Sequence, residues 1–209
     1  KFSRVVALLD GIYFVGDVWH SPGKHSFDWC FYAPYEPWAN KDSGAFNIPF
    51  KLLPNNKTGY KLVYDAKSAK VGNSGFAVSS YIAKYSPKTG RIGREKPTKE
   101  LFLNFAPVPG GEIFDLKVPR GHRPQPGPAL MVRQNGVSTA RFGVAFDVVK
   151  RGERNRVKAV EHIPVASDLS AAWKVVTDTG CYLVVINRSG KNLKVEGKEM
   201  NKELSVVKI

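Results

Sequence analysis

Hydrophobic and polar residues alternate over short segments along most of the chain, and turn-forming residues separate these segments. Residues 5–9 end at Asp10-Gly11, a dipeptide that favours a two-residue hairpin turn, and residues 12–15 continue the alternation. Residues 27–32 alternate aromatic and polar side chains, as a half-buried strand does. No window of twelve residues carries the apolar stripe of an amphipathic helix. The pattern predicts antiparallel strands, the first two of which form a hairpin that turns at Asp10-Gly11.

Similar segments recur at short intervals through the rest of the chain. The further predicted strands cover residues 60–64, 75–85, 100–105, 113–118, 129–134, 140–149, 157–163, 172–177, 181–187, 193–195 and 204–207. Breakers rich in Pro, Gly and Asn separate them, for example at 21–23, 87–90 and 107–111. Many short strands with regular turns are typical of sandwiches. The predicted fold class is all-β, an antiparallel β-sandwich with long loops and little helix.

Two long segments lack the strand pattern and are predicted to be loops. The first, residues 33–56, is rich in Pro, Asn and Gly and carries four aromatic residues. The second, residues 120–128, carries three prolines beside Arg120, His122 and Arg123. Extended loops on a rigid sandwich often carry binding residues. The aromatic residues have a structural alternative, since they would also serve to close over a sheet face.

The length of 209 residues, with 43% hydrophobic and 24% charged residues, suits one globular domain or two small ones. We expect a single β-sandwich module over residues 1–209. The chain starts inside a strand pattern, with neither an initiator Met nor a signal peptide, so we expect it to be a piece of a longer protein. The apolar runs are strand-sized, far below the ~20 residues of a membrane helix, so no membrane span is predicted.

The charge of the chain narrows the choice of partners. Thirty-two Lys and Arg residues face 18 Asp and Glu residues, a net charge of +14. Such a surface attracts nucleic acid, anionic lipid or acidic polysaccharide, although a surplus that serves only solubility is the alternative. The basic residues concentrate in 84–99, 117–123 and 150–158. No nucleic-acid-binding module is recognisable, which argues against a nucleic-acid partner.

Arginine clusters combined with tryptophan suit a charged glycan, although a phosphate group or a nucleic acid would be bound by the same mix of side chains. Arginine binds carboxylate and sulfate groups through two parallel hydrogen bonds, and tryptophan offers a flat apolar face to a sugar ring. Loops 88–99 and 120–123 are the preferred contacts, because Pro and Gly flank them, whereas 150–158 has the alternative of an ordinary solvated turn. The candidate substrate-binding residues are Trp19, Trp38, Arg91, Arg94, Arg120, His122 and Arg123.

Proton-transfer residues are densest near the first predicted breaker. His20 and His25 lie five residues apart across a Pro-Gly turn, where a hairpin would bring them together, and Tyr32 follows. These three residues are the candidate acid and base groups, and the alternative is that they are polar residues at the rim of a hairpin. His162 alternates within a predicted strand, which indicates a structural role.

The remaining chemical motifs are few. Cys30 and Cys181 form either a disulfide or two buried thiols. No C-x-x-C, P-loop, G-x-S-x-G or dinucleotide-binding fingerprint is present, and the histidine spacing is not that of a metal site. The sequence therefore predicts no metal and no cofactor in this part of the protein.

Three stretches resemble the C-terminal β-sandwich of heparinase II/III-like polysaccharide lyases. They are residues 3–17 (Ser-Arg-Val-Val-Ala-Leu-Leu-Asp-Gly-Ile-Tyr-Phe-Val-Gly-Asp), residues 23–32 (Gly-Lys-His-Ser-Phe-Asp-Trp-Cys-Phe-Tyr) and residues 128–149, which begin Pro-Ala-Leu-Met-Val-Arg-Gln-Asn-Gly. The resemblance touches most of residues 3–165. It departs at Tyr32, where the family has a second histidine, and at 147–149, where Asp-Val-Val replaces the family's Glu-Pro.

The resemblance implies β-elimination at a uronate of an anionic polysaccharide such as a glycosaminoglycan, by a secreted or periplasmic enzyme. In that family an upstream α-helical domain of the same polypeptide and an upstream His-x-His segment supply the catalytic groups. No His-x-His occurs here, so none of those roles carries over to a residue of this chain.

We therefore expect a C-terminal module that gives structural support and substrate contacts and is inactive alone. The first alternative is a stand-alone carbohydrate-binding or adhesion module without an enzyme attached. The second is a complete small lyase that uses His20, His25 and Tyr32 as its acid and base.

Overall fold

The structure is a computed structural model that describes residues 1–32, 51–52, 64–82, 85–86, 91–92, 97–120 and 123–209. Every regular element in these residues is a β-strand, so the predicted all-β class is confirmed. None of the described residues belongs to a helix that has the length and apolar character needed to cross a membrane. The strands are β1 (Phe2–Leu9), β2 (Ile12–Tyr32), β3 (Lys51–Leu52), β4 (Tyr64–Lys70), β5 (Phe76–Ile82), β6 (Tyr85–Ser86), β7 (Arg91–Ile92), β8 (Lys99–Phe105), β9 (Glu112–Arg120), β10 (Arg123–Lys150), β11 (Val157–Ile163), β12 (Ala171–Thr177), β13 (Cys181–Ile186), β14 (Leu193–Val195), β15 (Lys198–Met200) and β16 (Leu204–Lys208).

The first hairpin is the one that the sequence predicts. β1 and β2 pair antiparallel, with Leu9 opposite Ile12. The two turn residues between them both adopt positive φ, 47° at Asp10 and 82° at Gly11. That conformation belongs to the two-residue turns whose twist matches the strands, and Asp-Gly is among their preferred sequences. The hairpin is confirmed in position and in turn.

The two longest strands correct two predictions. The breaker at 21–23 does not end β2, and the predicted loop 120–128 is mostly strand, because β10 begins at Arg123. The turn residues form an irregularity in the β2–β10 ladder. At this irregularity, Thr139 lies opposite His20 and Val137 lies opposite His25. Gly23 takes up a positive φ of 82° within it. A bulge of this kind bends a strand without ending its pairing.

Among the described strands, eight form one sheet that folds back on itself. β10 pairs with β2 on one side and, on the other, with β9 along its first half and β8 along its second half. Val132, the partner of Trp29, and Phe146 are fourteen residues apart in β10, about 46 Å in an extended strand. Yet the rings of Trp29 and Phe146 lie 6.3 Å apart. The strands must therefore bend at the irregular ladder and bring the two halves of the sheet face to face.

Two main apolar cores result from this arrangement. One lies between the halves of the folded sheet and includes Trp29, Phe105 and Phe142. The other lies between this sheet and a four-stranded sheet with the order β11-β12-β13-β16, and it includes Phe14 and Trp173. Antiparallel sheets packed face to face make the molecule a β-sandwich, as predicted.

Trp173 of β12 packs the four-stranded sheet against the folded sheet. Gly16 and Gly143 lie opposite each other in β2 and β10, and the indole ring packs directly on both. A Cβ atom would lie 2.6 Å from this ring at Gly16 and 2.4 Å from it at Gly143. The two glycines thus leave the space for the indole. This packing holds β11 and β12 beside the end of β10, where the candidate site lies.

Candidate functional site

A cationic cleft of about 450 Å³ lies where β10 ends and the chain turns toward β11. Strands β8 and β10 and the turn between β12 and β13 supply its other walls. Four of the lining side chains are cationic and two are acidic, so the cleft attracts anions. The lining residues are Lys99, Val148, Val149, Lys150, Glu153, Arg154, Arg156 and Asp178.

Arg156 is held rigidly at the wall of the cleft. Its Nε and Nη2 atoms donate hydrogen bonds to Oδ1 of Asp147 at 2.8 and 2.5 Å, and its backbone N–H donates to Oδ2 at 2.6 Å. The Asp147 side chain is completely buried. The hydrogen bond to Asp147 raises the pKa of the Arg156 guanidinium above its usual value. Because its charge is already paired with Asp147, Arg156 forms part of the wall of the cleft and is not a free cation for a ligand.

Arg154 supplies the more exposed of the two guanidinium groups that line the cleft. Its Nη2 lies 3.3 Å from a carboxylate oxygen of Asp178, and its side chain is 85% exposed. Asp178 is shared, because the Nζ of Lys158 lies 3.2 Å from its other oxygen. Exposed ion pairs of this kind contribute little to stability, at most about 1 kcal/mol. Arg154 can therefore leave Asp178 for an incoming anion at small cost.

Lys99 and Lys150 lie directly opposite each other across the β8–β10 ladder. Both side chains are exposed, and within the described part of the chain neither ammonium has a hydrogen bond or an ion pair. Like charges at directly opposed positions of an antiparallel pair repel each other and destabilise the sheet. An anion between the two ammonium groups would relieve this repulsion. The pair is therefore the candidate anion-binding centre of the cleft.

The structure describes only part of the predicted binding set. Arg91, Arg120 and Arg123 are described for their backbone alone, in β7, β9 and β10. Trp38, Arg94 and His122 lie outside the described residues. The preferred loops of the sequence analysis thus remain predictions, while Lys99 and the turn after β10 are described in full.

Trp19 packs between other aromatic rings. Its ring centroid lies 4.4 Å from that of Phe2 and 6.3 Å from that of Phe27. The side chain is half-buried, and its Nε1 is buried without a hydrogen-bond partner. Little of the indole face is left for a sugar ring.

The candidate acid and base residues do not converge. Nδ1 of His20 lies 2.9 Å from the hydroxyl oxygen of Thr139, and Nε2 of His25 lies 3.0 Å from the carbonyl oxygen of Pro22. Tyr32 is 67% exposed and lies seven residues beyond His25 along β2, about 23 Å in an extended strand. The structure thus brings neither histidine to Tyr32.

The described residues contain no group of three or more His, Cys, Asp or Glu side chains placed to hold a metal ion. Cys30 and Cys181 are both free thiols, so they form no disulfide, and they are not the two buried thiols of the other alternative, because Cys30 is exposed and Cys181 is partly exposed. A titratable group that the sequence did not single out is Asp115 in β9. Burial raises its pKa to about 6, against the opposing effect of Lys67 and Lys117. The burial of Asp115 comes from the pairing of β9 with its neighbouring strands, so the alternation of hydrophobic and polar residues along the chain does not indicate it.

No protein-family model matches the chain, and no curated protein matches its sequence significantly. The function therefore has to be argued from the residues and from their geometry.

Proposed function

We propose that this chain is the C-terminal β-sandwich module of a heparinase II/III-like polysaccharide lyase. In this proposal it supports β-elimination of a uronate-containing polysaccharide through structural support and substrate contacts. The stretches that carry the sequence resemblance, residues 3–17, 23–32 and 128–149, fall in β1, β2 and β10. These are neighbouring strands of the folded sheet, so the resemblance covers the part that organises the fold.

The observation that carries the proposal is the unpaired Lys99–Lys150 pair in the cationic cleft. A polysaccharide with carboxylate or sulfate groups would place one of them between the two ammonium groups, with Arg154 close by. Cations of this kind hold an acidic sugar in position, and the removal of a proton beside a uronate carboxylate needs that carboxylate to be neutralised.

The catalytic acid and base belong, in this proposal, to an upstream α-helical domain of the same polypeptide. The enzyme would be secreted or periplasmic, where such polysaccharides occur, and this module would need no cofactor of its own. Neither nucleic acid nor a membrane is part of the proposal.

The test compares two double variants with equal loss of charge. Lys99→Gln with Lys150→Gln removes the proposed centre, while Lys194→Gln with Lys198→Gln removes two exposed lysines of the β14–β15 hairpin. On a heparin column eluted with a salt gradient, we expect the first variant to elute well before the second, because surface attraction is screened over ~10 Å at 0.1 M salt and only a specific site adds to it.

Equal elution of the two variants would show that the attraction is diffuse and has no site in the cleft. A wild-type chain that heparin does not retain at low salt would remove the polyanion from the proposal altogether.

A stand-alone carbohydrate-binding module is the second candidate function. It is supported by the same cationic cleft, which would hold an acidic sugar whether or not an enzyme is attached to the module. The sequence encoded upstream of this chain distinguishes the two candidate functions. A long helical region encoded there supports the lyase, and an unrelated neighbour supports the binding module.

A further inference from the structure

A second cleft, of about 440 Å³, adjoins the cationic one. The two clefts share the segment that leads from β10 to β11. Arg154 and Arg156 line the cationic cleft, while Asn155 and Val157, which alternate with them, line the second. The remaining wall comes from the start of β5, the end of β8 and the first half of β11.

The second cleft combines an apolar surface with carboxamides. The partly exposed ring of Phe76 supplies this surface, and it stacks at 4.7 Å, with an interplanar angle of 10°, on Phe105, which is only 1% exposed. Nδ2 of Asn155 donates a hydrogen bond of 2.5 Å to the side-chain oxygen of Asn104, so the two amides are held together. An apolar surface beside fixed amides suits a sugar ring, which has C–H groups on its faces and hydroxyl groups at its rim.

The second cleft lacks the positive surplus of the first, because one cation, Lys158, and one carboxylate, Glu161, line it. The ammonium of Lys158 lies 3.2 Å from Asp178. Glu161 is exposed and has neither a hydrogen bond nor an ion pair within the described residues. Its carboxylate repels carboxylate and sulfate groups and accepts hydrogen bonds from hydroxyl groups. The second cleft thus does not attract an acidic group as the first cleft does.

We infer that the two clefts form one binding path along an anionic polysaccharide. The cationic cleft takes an acidic group, and the second cleft takes the uncharged, hydroxyl-bearing part of a neighbouring sugar. The inference rests on the proposed function, because it requires that the cationic cleft bind the polysaccharide. It adds a specificity that charge alone does not supply, namely a preference for chains in which an uncharged portion follows the acidic group.

Ser74→Trp tests the path by filling the second cleft. Ser74 is an exposed lining residue, so a tryptophan there occupies the cleft from its rim. The matched control is Ala166→Trp, at an exposed position between β11 and β12. Calorimetric titration measures affinity for a hyaluronan disaccharide, which fits one cleft, and for a hyaluronan hexasaccharide, which spans both and in which acidic and uncharged sugars alternate. Circular dichroism checks that each variant is folded.

We expect the wild type and Ala166→Trp to bind the hexasaccharide more tightly than the disaccharide by the same factor. Ser74→Trp should bind the hexasaccharide about tenfold more weakly than they do, which corresponds to about 1.4 kcal/mol. Its affinity for the disaccharide and its salt dependence should stay unchanged, because no charge is removed. If Ser74→Trp and Ala166→Trp bind the hexasaccharide equally, the path is wrong while the proposed function stands. If the wild type binds neither oligosaccharide, the path is wrong, and retention on the heparin column decides separately whether the proposed function stands.

A charge reversal gives an independent readout without filling the cleft. Glu161→Lys should raise the salt concentration needed for elution from alginate, in which every sugar is acidic, more than Glu199→Lys does. Glu199 is an exposed residue of β15, and its replacement makes the same change in net charge. Equal gains from the two replacements would show that the second cleft does not select against acidic groups.

Discussion

His162 shows how burial of a single side chain makes stability depend on pH. It lies opposite Trp173 across the β11–β12 ladder, and its Nε2 is buried without a hydrogen-bond partner. Burial, together with the positive charge of Arg141, lowers its pKa to about 4. The imidazole is therefore neutral in the native protein at neutral pH, whereas in the unfolded chain it takes up a proton near its ordinary pKa of about 6.5.

Acidification should cost stability through this residue. The unfolded state binds a proton below pH ~6.5 and the folded state binds it only near pH 4, so the contribution of neutral His162 is complete above pH ~6.5 and is lost as the pH falls toward 4. His162→Phe should reduce the loss of unfolding free energy between pH 7.5 and 4.5 by about 1–2 kcal/mol. Urea denaturation at the two pH values measures this difference.

His25→Gln serves as the control for His162→Phe. His25 is exposed at the bend of β2. The difference in pH dependence between the two variants measures the effect of burying the imidazole of His162. An unchanged pH dependence in His162→Phe would contradict the buried, neutral imidazole.

At the scale of residues, the sequence shows which kinds of side chain are present, but it does not show which side chains lie beside each other in the fold. Lys99 and Lys150 both fall in basic clusters that the composition reveals, but their opposition depends on the register between β8 and β10. The same holds for Asp115, whose raised pKa comes from burial between paired strands. Alternation is a local property, and it carries no information on which strands meet.

At the scale of elements, the contact between Trp173 and the opposed glycines decides how the two sheets dock. Gly143→Ala should destabilise the protein by about 2–3 kcal/mol, because the added methyl group overlaps the indole and a packed core yields only partly. Gly72→Ala is the matched control, since a Cβ there meets no atom within 4 Å. Thermal unfolding of the two variants measures the difference, and equal melting temperatures would show that the indole moves aside freely.

Strand prediction succeeded where both ends of a strand are marked by turn residues. The predicted strands 157–163 and 193–195 coincide with β11 and β14. Strand prediction failed within β2 and β10. Pro and Gly at 21–23 and 124–128 interrupt the local alternation there, but the partner strands stay paired across both interruptions. Of the predicted strand 60–64, only Tyr64 is described, and most of the predicted loop 33–56 also lies outside the described residues.

At the scale of the whole molecule, we expect binding without catalysis. The purified 209-residue chain should release no unsaturated uronate from heparin, chondroitin sulfate or alginate at a rate near that of a full lyase. His20 and His25 are far from Tyr32, and the resemblance places the catalytic groups upstream. Ultraviolet absorbance of the unsaturated product measures the rate. Strong activity that His20→Ala, His25→Ala or Tyr32→Phe abolished would instead establish the small lyase.

The folded-back sheet also sets the order in which the chain can fold. The β1–β2 hairpin needs only residues close in sequence, but β2 finds its other partner in β10, where Ala129 pairs with Tyr32. About a hundred residues must be synthesised between these two, which takes roughly 5–20 s at the usual pace of translation. During that time the newly made hairpin presents an open strand edge and the apolar faces of Phe14 and Trp29 to its surroundings. An open edge and exposed apolar faces favour aggregation, so we expect the chain to be most prone to aggregate before its central strand is complete.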